Sequence, residues 1–253
     1  RAPTVLHVVL VTTIKPMKFL DIRQTSYSVI SGLMFCLTVW GCGSSDTKKE
    51  ATTTSDSATA ATNSASASAQ KPIILFYGNS LTAGYGVEPA QAFPALVGQK
   101  IDSVGLNYQV VNAGLSGETT AGGKSRISWV MRQPVAVFVL ELGGNDGLRG
   151  IPLKSTRDNL QAIMDTVRLK SPQATIVLAG MQIPPNMGTD YTKEFKGLFK
   201  ELADKNKAVL IPFLLEGVGG IPKLNQPDGI HPTPEGHKIV AKNVWKVLEP
   251  VLK

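Results

Sequence analysis

Thiol chemistry is nearly absent from this sequence: only Cys36 and Cys42 are cysteines, and both fall near its start. The rest of the chain therefore carries no disulfide framework, no cysteine nucleophile and no thiolate metal site. A domain of roughly 180 residues buries enough apolar surface to stand without such staples. Charge is sparse as well, at 18% of residues against 43% hydrophobic, a balance that suits one globular core. The formal net charge of +7 does not mark a nucleic-acid binder. Arg1, Lys15, Lys18 and Arg23 against Asp21 supply +3 of it before residue 42. Further on, bases are interleaved with acids, as where Glu194, Glu201 and Asp204 punctuate the run from Lys193 to Lys207, which reads as a solvated helix face. No internal repeat is present.

The first 70 residues read as an address and a tether. An apolar run over 27–41 follows Lys18 and Arg23, the layout of a signal peptide. It falls short of the about 20 apolar residues that cross a bilayer. Met17 stands just before Lys18, so residues 1–16 read as lying upstream of the working start. Val39-Trp-Gly-Cys42 resembles a bacterial lipobox, with Trp40 where small residues are usual, and makes Cys42 the candidate lipidation site. The alternatives are a plain cleaved signal or a buried cysteine pair. Residues 43–70 hold no large apolar side chain and read as a flexible linker. The expected organisation is a leader over 1–42, a linker over 43–70 and a catalytic domain over 71–253. It implies a protein of the bacterial cell envelope, exported and either lipid-anchored or periplasmic, with peripheral membrane attachment and a monomeric state. One acyl chain gives only marginal attachment.

From Pro72 onward short apolar runs alternate with amphipathic stretches, the pattern of β-α-β units and a parallel sheet. Strands are expected over 73–77, 108–111, 135–142, 175–179 and 209–211, and helices over 89–104, 119–131, 155–169, 191–205 and 234–252. On open parallel sheets ligands bind beyond the carboxyl ends of the strands, so the loops starting at Gly78, Asn112, Gly143 and Met181 should hold the chemistry.

Those loops carry the unusual residues. Ser80 ends the first strand in Gly78-Asn-Ser80, where a serine is either a nucleophile or an ordinary helix cap. Thr82 stands where a Gly-x-Ser-x-Gly elbow would have its second glycine. Asp228-Gly-Ile-His231-Pro puts a carboxylate three residues before a histidine, either a base with its orienting acid or an Asp-Gly turn beside a surface histidine. Asn112-Ala-Gly114 and Gly143-Gly-Asn145-Asp146 each close an apolar strand with groups able to donate hydrogen bonds to an oxyanion. Turn and cap roles remain open for each alone; their convergence on one sheet edge favours catalysis.

In order and spacing, Gly78-Asn-Ser80-Leu, Asn112-Ala-Gly114, Gly143-Gly-Asn145-Asp146 and Asp228-Gly-Ile-His231-Pro resemble the four motif blocks of the SGNH (GDSL) hydrolase superfamily. Asn79-Ser-Leu-Thr-Ala-Gly-Tyr85, Gly117-Glu-Thr-Thr120 and Glu141-Leu-Gly-Gly-Asn-Asp-Gly-Leu-Arg-Gly150 are similar to its bacterial arylesterase, thioesterase I and lysophospholipase L1 group. The resemblance implies a three-layer α/β/α flavodoxin-like fold with five parallel strands in the order 2-1-3-4-5. It also implies a serine esterase with Ser80 as nucleophile, His231 as base, Asp228 as its orienter, and Ser80, Gly114 and Asn145 as oxyanion donors, with no metal or organic cofactor. Leu115, Asp146, Leu148, Ile183 and Pro184, with Pro185, fall on loops beside the site as candidate substrate contacts. Without a bulky lid insertion, short- to medium-chain acyl esters and aryl esters are the expected substrates. A carbohydrate O-acetyl esterase on the same fold, or a non-catalytic lipid- or glycan-binding lipoprotein, are the alternatives. One departure matters: the family usually has Asp before the nucleophile, and here it is Asn79. Because the proton-abstracting pair is Asp228 and His231, catalysis is expected to survive the exchange, with effects on the Ser80 turn or on pH dependence.

Overall fold

The computed structural model describes residues 70–252. The leader, Cys42 included, and the linker up to residue 69 lie outside them.

Five parallel strands form one sheet: β1 (Ile73–Gly78), β2 (Gln109–Gly114), β3 (Val137–Glu141), β4 (Thr175–Ala179) and β5 (Val209–Ile211), in the order β2-β1-β3-β4-β5. Every residue of β1 and β3 is buried, as continuous apolar strands covered on both faces must be. Helices α2 (Phe93–Ser103) and α7 (Pro234–Leu248) pack together as one layer, while α3 (Thr120–Val130), α5 (Leu153–Lys170) and α6 (Thr189–Asn206) form the other. Two short helices, α1 (Ser80–Ala83) and α4 (Gly144–Leu148), follow β1 and β3 directly. This is the α/β/α architecture and strand order expected.

The amphipathic helices bury the stripe that their period dictates. In α6 the buried Phe195, Leu198, Phe199 and Leu202 recur at helical spacing, and Phe195 meets Phe199 edge-on at 5.4 Å. Under β1, Phe76 packs edge-on against Phe93 at 5.7 Å. Each such buried phenylalanine contributes roughly 1.5–3 kcal/mol, so the two helical layers are fixed to the sheet mainly by apolar burial.

Several boundaries differ from expectation. The second strand runs on from Val111 through Asn112-Ala-Gly114, because parallel pairing with β1 continues to Gly78↔Gly114. The helix expected over 89–104 divides into a 3-10 turn, Pro89–Gln91, and α2, with Ala92 extended between them. Pro94 accepts only a place in the first turn of a helix, so α2 starts at Phe93. The last helix stops at Leu248 and tightens into a 3-10 turn containing Pro250, not a regular helix to Leu252.

Strand order sets the position of the site. The chain leaves β1 toward β2 on one side and β3 on the other, so the loops after β1 and β3 diverge and open a crevice. Gly78 and Glu141 are register partners at that point, and the segments Asn79-Ser80 and Leu142-Gly-Gly-Asn145 follow them directly.

Candidate active site

Ser80 is the first residue of α1, and the residue capping that helix is its neighbour. The Asn79 Oδ1 accepts the Leu81 N–H at 2.9 Å, which removes the need for a serine cap. The Ser80 hydroxyl is therefore available, and it lies 2.8 Å from His231 Nε2. Its own N–H belongs to the first turn of α1, where no intrahelical acceptor exists.

His231 lies in the loop before α7. Asp228 Oδ1 accepts the N–H groups of Ile230 (2.8 Å) and His231 (3.0 Å), closing the turn, while its Oδ2 is 2.7 Å from His231 Nδ1. These bonds, the His231 backbone N–H above all, lower the Asp228 pKa to about 2. An ionised acid at this position puts the imidazole proton on Nδ1 and turns the Nε2 lone pair toward Ser80. Gln226 holds the loop from behind. Its N–H donates to His231 O at 2.7 Å, and its side chain donates to Tyr85 O at 2.7 Å, bringing the Tyr85 ring to 4.7 Å from the imidazole.

On the other side of Ser80, Asn145 sits in α4 and donates one amide hydrogen to Glu118 O at 2.9 Å while its residue lines the crevice. Glu118 is buried and paired with Arg126 at 2.5 Å, and Arg126 donates in turn to Ala113 O at 2.8 Å. The loop joining β2 to α3 is thus pinned beside Asn145.

Three expectations are corrected here. Gly114 is not a free oxyanion donor, because its N–H is taken by Asn112 Oδ1 at 2.9 Å. Gly117, three residues on, adopts φ 79°, and an added Cβ there would meet nothing. Its N–H makes no hydrogen bond among the described residues. Gly117 opens the segment Gly117-Glu-Thr-Thr120, which the sequence already sets apart as similar to the arylesterase group. Asp146 is not a substrate contact either. It is 1% exposed and accepts the Thr120 N–H at 2.9 Å and the Thr120 hydroxyl at 2.5 Å, joining α4 to the start of α3. Leu115 is exposed but does not line the crevice.

Leu148, Ile183, Pro184 and Pro185 do line it, in a cavity of about 460 Å³ that begins at Ser80 and His231. Met181, Phe213 and Leu215 complete the apolar wall. The last two follow the short β5, where the sequence offered only a proline after an apolar run. Among the described residues no group of three or more His, Cys, Asp or Glu is arranged to hold a metal ion.

The model of the GDSL-like lipase/acylhydrolase family matches residues 76–239. Esterase TesA of Pseudomonas aeruginosa is 38% identical over 180 residues, which cover 71% of this chain and 89% of that protein. Thioesterase 1/protease 1/lysophospholipase L1 of Escherichia coli is 36% identical over 71% of this chain and 84% of its own length. The crystal structure of the psychrotrophic esterase EstA from Pseudoalteromonas sp., inhibited by monoethylphosphonate, superposes with a TM-score of 0.67 at 29% identity, covering 71% of this chain and 98% of that one. The blocks around Ser80, Asn145, Asp228 and His231 all fall within the matched span, and this chain is a member of the GDSL-like lipase/acylhydrolase family.

Proposed function

We propose that Ser80, His231 and Asp228 carry out ester hydrolysis through an acyl-enzyme, with the Ser80 N–H, the Asn145 amide and the Gly117 N–H receiving the oxyanion. As a family member the chain is a carboxylic ester hydrolase. The observation that carries the residue roles is the continuous relay from Ser80 Oγ to His231 Nε2 at 2.8 Å and from His231 Nδ1 to Asp228 Oδ2 at 2.7 Å.

In the first half-reaction Nε2 takes the Ser80 proton as Oγ bonds to the acyl carbon and the carbonyl electron pair moves onto oxygen. Collapse of this tetrahedral adduct breaks the bond to the alcohol or thiol, which leaves with the proton from Nε2. Water then repeats the sequence on the acyl-serine, giving up one proton to Nε2, which passes back to Ser80 as the acid departs. Asp228 stays ionised throughout and stabilises the imidazolium.

The apolar wall supports an acyl chain longer than acetyl, since Leu148, Ile183, Pro184, Met181, Phe213 and Leu215 offer little to hydrogen-bond a sugar. Short- to medium-chain acyl esters and thioesters, aryl esters among them, fit this groove. The described residues contain no helix long and apolar enough to cross a membrane. Export through the apolar run over 27–41 and attachment through Cys42 accord with the sequence and belong to the same proposal.

A chain-length series of p-nitrophenyl esters, run on native protein and on Ser80→Ala, tests the reading. Activity that vanishes in the variant and peaks beyond acetate is the expected result. Equal turnover by Ser80→Ala, or a peak at acetate with no gain from longer acyl chains, would reject it.

A further inference from the structure

Glu141, the last residue of β3, is 1% exposed and carries no cationic partner. Its Oε1 accepts the Asn79 side-chain amide at 2.7 Å. Its Oε2 accepts the Asn79 backbone N–H at 3.1 Å and the Thr82 hydroxyl at 2.8 Å. Among the described residues, every group facing this buried acid is thus a neutral donor on the turn that holds Ser80, and no other titratable or charged group acts on it. Burying a carboxylate without a counter-ion is costly.

We infer that Glu141 is a positioning residue for Ser80 and acts through Asn79. The inference rests on Ser80 being the nucleophile. A carboxamide has one donating and one accepting end of nearly equal size, so packing alone cannot orient it. Ionised, Glu141 supplies only acceptors and therefore draws Nδ2 inward. Oδ1 is left facing the Leu81 N–H at 2.9 Å and the Ser80 hydroxyl at 3.4 Å. Turned over, the amide would set acceptor against acceptor at Glu141 and donor against donor at the Leu81 N–H, and the turn that sets Ser80 Oγ against His231 would lose its cap. An aspartate at 79 would bring two buried carboxyls together, and like charges at that distance share one proton. The amide hydrogen of Asn79 does permanently what that shared proton would do only until it was lost. Burial raises the Glu141 pKa to about 7 in spite of the hydrogen bonds from Thr82 and Asn79, so the ionised, acceptor-only form of Glu141 prevails on the alkaline side of neutrality.

Exchange of donor and acceptor provides the test: kcat and KM are measured from mildly acidic to alkaline pH for the native enzyme, Asn79→Asp, Glu141→Gln and the double variant. Glu141→Gln is expected to lose roughly 10- to 100-fold in kcat with KM almost unchanged, the scale of a slightly misplaced nucleophile. Asn79→Asp should work while one proton is shared and fail on the alkaline side, where the native enzyme does not. The double variant again pairs an amide with a carboxylate, in reversed order, and should recover most of kcat and lose the alkaline failure. Losses in the double variant equal to the product of the single losses, or a Glu141→Gln profile matching the native one, would overturn the inference. If circular dichroism finds Glu141→Gln unfolded, the alkaline limb decides: its loss in Asn79→Asp supports the inference and a native-like limb overturns it. Ser80→Ala is assayed alongside. Activity in that variant would remove the nucleophile assignment itself, whereas failed rescue with Ser80→Ala inactive removes only the role of Glu141.

Discussion

Asn112 Oδ1 accepts the Gly114 N–H at 2.9 Å, while Asn112 Nδ2 donates to Thr82 O at 2.8 Å. One side chain thereby closes the end of β2 and ties it to the turn that presents Ser80. Gly114 fits only because it has no side chain: a Cβ would overlap Ala83 N and come within 2.7 Å of Ala83 Cα. Gly114→Ala should therefore lower thermal stability severely, since backbone, unlike a flexible side chain, cannot move aside. Gly117→Ala should cost only about 1 kcal/mol for its left-handed backbone, because open space surrounds it, yet it should reduce kcat by disturbing a donor. Melting temperature and kcat measured on both variants separate the two roles; a reversed pattern would return the oxyanion assignment to Gly114.

The Asp228 carboxylate also fixes what an amide could do in its place. Oδ1 receives two backbone N–H groups, so an asparagine would have to put its oxygen there and its Nδ2 against His231 Nδ1. That arrangement forces the imidazole proton onto Nε2, where it points at Ser80 and leaves no base. Asp228→Asn should lower kcat on the order of 10³- to 10⁴-fold with the fold intact. The native carboxyl has its pKa depressed to about 2, so its charge is present above the ordinary value of 3.8 and is lost only as pH falls through about 2. Any loss of kcat at milder acidity then has an origin other than protonation of Asp228.

Much of this site was legible in the sequence because it depends on strand ends. Ser80, Asn145 and the Asp228/His231 pair each follow an apolar run or sit in a Gly- and Pro-bounded turn, and the parallel order of strands brings such turns to one edge. The misreadings concern where a side chain turns once there. Asp146 stands beside Asn145 in sequence, but in α4 the two point apart, and Asp146 enters the gap between α3 and α5 to meet Thr120 and, at 3.5 Å, Thr156. That partner lies 26 residues away, beyond any local pattern. Leu115 and Gly114 failed for a related reason, because β2 extends past its apolar residues through a pairing that only its neighbour β1 determines.

The apolar crevice makes a quantitative prediction about acyl length. Each methylene taken out of water contributes about 0.8 kcal/mol, equivalent to roughly fourfold in kcat/KM. Activity should climb by up to that factor per carbon until the about 460 Å³ beyond Ser80 is filled, and then level or fall. Leu215→Trp adds bulk to the half-buried apolar wall and should move the optimum to shorter esters. An unchanged optimum would place the acyl chain elsewhere.

Two buried groups outside the relay pull stability in opposite directions over the same pH range. His237 is 1% exposed, accepts the Phe93 N–H on Nδ1 at 3.2 Å and stacks on the Phe93 ring. Burial foremost, and after it the nearby His231, lowers its pKa from 6.5 to about 4. Between those values the unfolded chain binds the extra proton, so this group makes stability rise with pH. Glu141, raised by burial from 4.5 to about 7, is protonated in the folded chain and ionised in the unfolded one across that interval, so its contribution falls as pH rises. Each gap is worth at most about 3 kcal/mol, and in the overlap the two contributions oppose one another. Urea unfolding across the interval should show it by difference from the native protein. His237→Phe, though less stable at neutral pH for want of the Phe93 acceptor, should lose less on acidification. Glu141→Gln should lose more. Curves for both variants running parallel to the native one would show that neither group changes its protonation on unfolding, and would remove the opposition argued from their burial.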